Sequence, residues 1–426
     1  MSSPSKREAI APNSSRPPVV ALAPGSYLAP LAVMRSLSRF GVAVYAPATR
    51  GLSLWRLSRY CAGLLQIGEN GSPSATNPEA TVEQLLDAGR VLGTHAVLMP
   101  CSDEWALFVT KYAAQLRGTY RFPGLSHDLA RRLGDKHQLQ SLAMERAVEI
   151  PASVRPADMA DVARLSGVLD YPVIIKTSIS RDSGNRSAVA TSPDELVAAF
   201  EHMNDPGNLI CQHLVLGNDS DGWLFNGYFD GQSRCIARFS GRKLRQWPAG
   251  RGFTILAEAT RNPEVERIAI GFLTGVGYCG PVDMDFRRDP ADGSYKLLDV
   301  NPRLGGVFRL FEDRQGLDVA RAMYLDLIGD PVEQDAQREG RRFVHEGGFL
   351  VATLKSWLAG ASTPIATIRE VSGAEMGTFR STDPLPFLVH MVTTIRTLGA
   401  SRLRRYLRSR ARRPGDQKAR EETPVA

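Results

Sequence analysis

No apolar run in the sequence is long enough to cross a membrane as a helix, and the opening residues lack a secretory-signal pattern. Residues 1–17 are rich in Ser, Pro and Asn, so they are expected to form a disordered tail on a cytoplasmic protein. Cysteine is scarce: Cys61, Cys101, Cys211, Cys235 and Cys279 are an odd set of five, widely spaced and without a C-x-x-C pair. That pattern supports neither a disulfide framework nor a zinc site; it reads as small buried hydrophobes in a reducing compartment. The G-x-G-x-x-G fingerprint is missing after the first strand, which argues against a dinucleotide cofactor. No Ser–His–Asp or Cys–His arrangement is visible, so a covalent protein nucleophile is not expected. No internal repeat is present.

One stretch lacks acidic residues altogether. Eight arginines lie between Arg396 and Arg413, and removing them from the formal net charge of +7 leaves about −1 for the rest of the chain. The body is not basic; the tail is. The tail reads as a solvated arginine run, as an amphipathic segment from Phe387 through Leu407 in weak peripheral contact with anionic membrane, or as a nucleic-acid arm. Without interleaved aromatics the last is the poorest reading, and no nucleic-acid partner is expected.

What is present is an ordinary globular composition in a chain of 426 residues, enough for roughly two or three domains. Pro18–Ala23, a turn at Pro24-Gly25, a helical pattern over Leu28–Phe40 and a second strand at Val42–Ala46 make an α/β opening with a parallel sheet. Ala96–Pro100 is another buried strand, and Ser102 caps a helix to about Leu116. The Asp103-Glu104 pair after that strand either faces a ligand or favours the helix dipole. Tyr171–Lys176 is an apolar strand ending on a lysine beside a polar loop, a placement suited to phosphate.

The most informative stretch is Gly280–Gly306, GPVDMDFRRDPADGSYKLLDVNPRLGG. Val282, Met284 and Phe286 alternate with Asp283, Asp285 and Arg287; Leu298 and Val300 alternate with Asp299, Asn301 and Arg303. The turn-rich DPADGS between them predicts a hairpin, and a register centred on Asp292 sets Asp285 opposite Asp299. Facing carboxylates repel unless something offsets them. A hard divalent cation does so, taking oxygen from Asp285, Asp299 and Asn301 and keeping places for phosphate, while Arg303 offers a fork for phosphate or carboxylate.

With the order of its parts, this motif resembles the ATP-grasp superfamily of carboxylate–amine ligases and carbamoyl-phosphate synthase large-subunit relatives, over about Pro18–Pro331. The resemblance implies an α/β and α+β chain: an N-terminal Rossmann-like pre-ATP-grasp domain (18–125), then a two-part ATP-grasp fold (126–331) with its lid at about 150–216. An extension (332–395) and the basic tail (396–426) follow. It implies Lys136 and Lys176 on ATP phosphates, and a phosphate loop over Ser178–Arg186 with Ser183 and Gly184. Gln212, His213, Leu214 and Val215 match the adenine hinge, Asp219 or Asp221 the ribose contact, and Lys243 and Arg245 further phosphate or substrate contacts. Asp285, Asp299 and Asn301 match the ligands of Mg2+, or of Mn2+ in its place, and Arg303 with Lys176 the catalytic pair. The implied reaction is ATP-driven activation of a carboxylate as an acyl phosphate, release of ADP, and attack by an amine to give an amide. The expected partners are the small-molecule acid and amine, with a homodimer common among relatives. The alternatives are carboxyphosphate or carbamoyl-phosphate chemistry, although duplicated halves and a Met-Lys-Met carrier segment are missing, or a non-catalytic ATP-binding regulatory protein.

Overall fold

The computed structural model describes residues 16–25, 28–51, 53–93, 95–178, 187–203, 208–358, 360 and 364–396. The strands Val19–Leu22 (β1), Val44–Pro47 (β2), Gly63–Leu65 (β3), Ala96–Pro100 (β4) and Tyr120–Arg121 (β5) form one parallel sheet in the order β3-β2-β1-β4-β5. β1 and β4 are buried along their whole length, as inner parallel strands covered on both faces must be. β3 and β5 are too short to carry a periodic signal, which is why the sequence reading passes over them. The helices of this region are Ala29–Leu37 (α1), Pro78–Leu92 (α2), Asp103–Lys111 (α3) and Ala113–Leu116 (α4). The Ser102 hydroxyl caps α3 by accepting the Trp105 N–H.

Two helices, His127–Gly134 (α5) and Lys136–Glu145 (α6), lead into a small antiparallel sheet. It comprises Ser153–Val154 (β6), Val173–Thr177 (β7), Ser187–Ala190 (β8) and Leu209–His213 (β9), ordered β6-β9-β7-β8 and backed by Met159–Ser166 (α7) and Pro193–Met203 (α8). Val173 and Ile175 turn into the core with Val162, Leu196 and Phe200. By the period of two, Ile174 and Lys176 face the other way.

The largest sheet contains Gly222–Phe229 (β10), Cys235–Trp247 (β11), Phe253–Ala259 (β12), Gly280–Arg288 (β13), Tyr295–Asn301 (β14), Arg342–Val344 (β15) and Glu375–Met376 (β16). Its order is β14-β13-β10-β11-β12-β15-β16, antiparallel except for the last pair. β12 begins at Phe253, directly after a Gly-containing turn, because a buried apolar run follows. Pro263–Gly275 (α9) covers one face against Phe225, Met284 and Phe286. On the other, α1 and Val319–Ile328 (α10) share one apolar core with Tyr228 and Phe239, so the first sheet and the largest sheet are welded together.

The helices Glu346–Leu358 (α11) and Pro364–Val371 (α12) follow β15, and 385–396 are helical. The chain returns to its start through Asp383, which accepts from the buried Arg35 guanidinium at 3.0 Å, from the Ser58 hydroxyl at 2.8 Å and from the Arg59 N–H at 2.9 Å. No helix among the described residues is long and apolar enough to cross a membrane. Residues 179–186, with Ser183 and Gly184 of the expected phosphate loop, and the tail from 397 lie outside the described residues.

Candidate active site

A cleft of about 700 Å3 lies between the small sheet and the β13–β14 hairpin, with Leu28 and Asp103 of the N-terminal region at one end. Its hairpin wall follows from strand alternation. Val282, Met284 and Phe286 fill the core beneath, so Asp283, Asp285 and Arg287 point into the cleft. Asp285 stands directly opposite Asp299, and Asp283 opposite Asn301. The Asn301 side chain donates to the Asp283 carbonyl at 3.3 Å, which leaves its amide oxygen for the cleft.

Each carboxylate on this wall has a cation. The Lys243 ammonium is 2.7 Å from Asp285, and Lys136 is 3.5 Å from Asp299. Arg303 spans Asp283 at 3.3 Å and Asp103, in the first turn of α3, at 3.0 Å. Asp103 thus both sits at a helix N-terminus and meets a cleft residue. Burial pushes the Asp283 carboxyl up, with Asp285 reinforcing it against Arg303. At Asp299 burial acts in the same upward direction but is outweighed by Lys136, Lys176 and Arg303, so its carboxyl lies below the usual range. The fit at Asp283 is tight: a Cβ on Gly305 would stand 2.2 Å from its Oδ2 and 3.0 Å from Arg303 Nη1.

From the other wall, Lys176 at the end of β7 reaches the same space. Desolvation, then repulsion from Lys136, pushes its ammonium down to about 8, although Asp299 and Asp285 pull the other way. Gln212, His213, Leu214 and Val215 also line the cleft. The His213 N–H is bonded to the Ala152 carbonyl at 2.9 Å and the Leu214 N–H to Pro172 at 3.0 Å, so neither is open to a base.

Four expected contacts are not brought to the cleft. The Ser178 hydroxyl turns to Asp135 at 3.1 Å, where it braces the N-cap of α6 and hence Lys136. Asp219 accepts the N–H groups of Gln246 at 2.9 Å and Gly250 at 2.5 Å, so it secures the loop carrying Gly250, which lines the cleft, without entering the cleft itself. Asp221 accepts the Asn218 N–H at 2.7 Å. Arg245 pairs with Glu370 at 3.0 Å and lies over the Phe349 ring. The physical reason is a bulge: register shifts on both sides of Arg245 put Lys243 and Gln246 in the cleft and carry Arg245 away. A second bulge acts at Leu298. Asp285 pairs with Asp299 but Phe286 with Leu297, so Leu297 takes the core position expected for Leu298, and Leu298 joins the cleft.

Sequence reasoning also left out Asp283 and Arg287, although period-two alternation through β13 points to both. The Arg287 guanidinium donates to the Gly250 and Asn218 carbonyls, each at 3.2 Å. The loop 248–252 had no sequence signal beyond its glycines.

The donor set suits Mg2+. It offers two carboxylates and an amide oxygen and, among the described residues, no cluster of three His, Cys, Asp or Glu side chains. That is an incomplete cage of the kind Mg2+ takes, with the remaining positions filled by phosphate oxygens and water.

No family model matches the chain. It is 23% identical over 247 residues to D-aspartate ligase of Enterococcus faecium, covering 54% of this chain and 58% of that protein. To the carbamoyl phosphate synthase large chain of Thermomicrobium roseum it is 21% identical over 226 residues, covering 50% and 20%. The chain therefore spans little more than half of the first relative and a fifth of the second. Its fold is similar to the MgADP-bound biotin carboxylase domain of Hydrogenobacter thermophilus 2-oxoglutarate carboxylase (TM-score 0.58, 16% identity, 76% of this chain and 72% of that one). It is similar also to L-amino acid ligase from Bacillus licheniformis (TM-score 0.55, 15% identity, 75% and 76%).

Proposed function

We propose that this chain, an ATP-grasp protein, is an ADP-forming ligase that joins a small-molecule carboxylate to an amine. The observation that carries the proposal is the register placing Asp285 opposite Asp299 with Asn301 on the same face, inside a ring of Lys136, Lys176, Lys243 and Arg303. Mg2+ held by Asp285, Asp299 and Asn301 would offset the charge of the nucleotide's phosphate oxygens. Lys136 and Lys176 approach from opposite walls and hold the phosphates between them. Lys243, paired with Asp285 at 2.7 Å, would supply a further cation once that carboxylate held the metal.

A substrate carboxylate oxygen attacks the γ-phosphorus; the bond to the bridging oxygen breaks, and ADP leaves. The amine then attacks the acyl carbon and loses a proton, and phosphate departs with the bonding pair. Phosphoryl transfer of this kind needs positioning and charge neutralisation rather than a protein nucleophile. Arg303, already oriented by Asp103 and Asp283, is the fork for the transferred phosphoryl group.

The test is ADP release by purified protein with MgATP, pooled carboxylates and pooled amines. Release that requires both pools and is lost in Asp299→Ala supports the ligase. Release with bicarbonate alone would replace it with carboxyphosphate chemistry, and nucleotide binding without release in any pool would favour the non-catalytic reading.

A further inference from the structure

We propose that the helix at 385–396 and the arginines that follow it dock the protein on an anionic lipid surface. One face of this helix is committed to the fold. Val389 is buried, and His390 Nε2 accepts the Gly347 N–H of α11 at 3.2 Å. A Cβ on Gly347 would stand 2.7 Å from His390 Nε2 and 3.0 Å from the Thr394 hydroxyl, so the two helices meet closely there. The face turned to solvent is apolar. Leu388, Val392 and Ile395 are 54%, 45% and 60% exposed, at spacings of four and three residues that make one helical stripe. An outward apolar stripe on a helix already packed on its other side is unlike the polar outer face of an ordinary surface helix.

Charge identifies the occupant. No Asp or Glu occurs between Asp383 and Asp416, and Arg396 with the seven arginines from Arg402 to Arg413 follows the stripe directly. An apolar stripe for the acyl boundary, followed in sequence by a run of cations for lipid phosphates, is the two-part signal that peripheral membrane binding needs, because neither part suffices alone. A second copy of this chain would carry the same arginine-rich, acid-free sequence after its own stripe, so like charges would oppose a self-paired interface.

The experiment is co-sedimentation of the full-length protein with vesicles of phosphatidylcholine alone and of phosphatidylcholine with phosphatidylglycerol, at low and high salt. Three proteins are compared: the parent, Leu388→Ser/Val392→Ser/Ile395→Ser, and Arg402→Gln/Arg404→Gln/Arg405→Gln/Arg408→Gln. The expected result is binding of the parent to the anionic vesicles only, weakened by salt, with at least about a tenfold loss in each variant. Far-ultraviolet circular dichroism should be unchanged, since all the serine sites are exposed. Equal binding of parent and serine variant would remove the apolar half of the proposal. Failure of the parent to bind, or equal binding to neutral vesicles, would overturn it. Light scattering that shows the parent as a dimer and the serine variant as a monomer would assign the stripe to a second copy instead. Retention of single-stranded RNA by the parent, without vesicle binding, would assign the arginines to nucleic acid.

Discussion

On the β13–β14 wall Asp283, Asp285 and Asp299 each have a cationic partner, whereas Lys176 on the small-sheet wall pairs with no carboxylate among the described residues. The hairpin wall is electrostatically closed before any nucleotide arrives, and the register of two strands holds its carboxylates in place. The small-sheet wall carries a desolvated ammonium, pushed down to about 8 by burial and by Lys136. Such a group gains most from an incoming phosphate, which replaces the water it has lost and separates it from its like neighbour. On the proposed function, one wall would place metal and phosphate, and the other would respond to them.

The largest effect expected breaks the hairpin side. Asp299→Ala removes one of two facing carboxylates and should lower ATP turnover by about a hundredfold or more, with the circular dichroism spectrum unchanged. Asp103→Asn acts one step further out, by loosening Arg303 while leaving the metal ligands intact. It should lower kcat by roughly tenfold with the KM for ATP little altered.

Lys176 sharpens the small-sheet side through pH. On the proposed function its charged form binds phosphate, so kcat/KM for ATP should be highest well below about 8 and fall as pH rises through that value. Half a unit above it the loss should be about fourfold. Lys176→Arg, whose guanidinium stays protonated, should abolish that limb. The smallest effects belong to residues that face away from both walls. Arg245→Ala should leave the KM for ATP unchanged, since its partner is Glu370. Ser178→Ala should cost about 1 kcal/mol in a denaturant titration through the lost bond to Asp135.

The same comparison explains what the sequence disclosed. The shared face of Asp285, Asp299 and Asn301 and the buried face of β13 were legible because alternation with period two is local and holds unbroken from Asp283 to Asp285 and from Asp299 to Asn301. Lys176 was legible for the same reason, at the end of an apolar strand. Arg245 and Leu298 were misplaced because each sits at a bulge, where one extra residue reverses which face the next side chain takes, and no residue type in either stretch announces it. Ser178, Asp219 and Asp221 carry the right chemistry for a nucleotide, but their oxygens are spent on Asp135 and on backbone N–H groups. Those partners come from Gln246, Gly250 and an earlier helix cap, which a strand-by-strand reading does not bring together. The meeting of Asp103 with Arg303 is 200 positions apart in sequence and depends on the core shared by the first and largest sheets.

The most direct test of the hairpin as a metal–nucleotide site is calorimetric titration of ADP into the protein with Mg2+ and with EDTA, repeated on Asp299→Ala. One ADP per chain is expected, bound tightly with Mg2+, weakened by at least about tenfold on chelation, and insensitive to chelation in the variant. ADP affinity that is the same with Mg2+ and EDTA in the parent, or no binding in either, would contradict it.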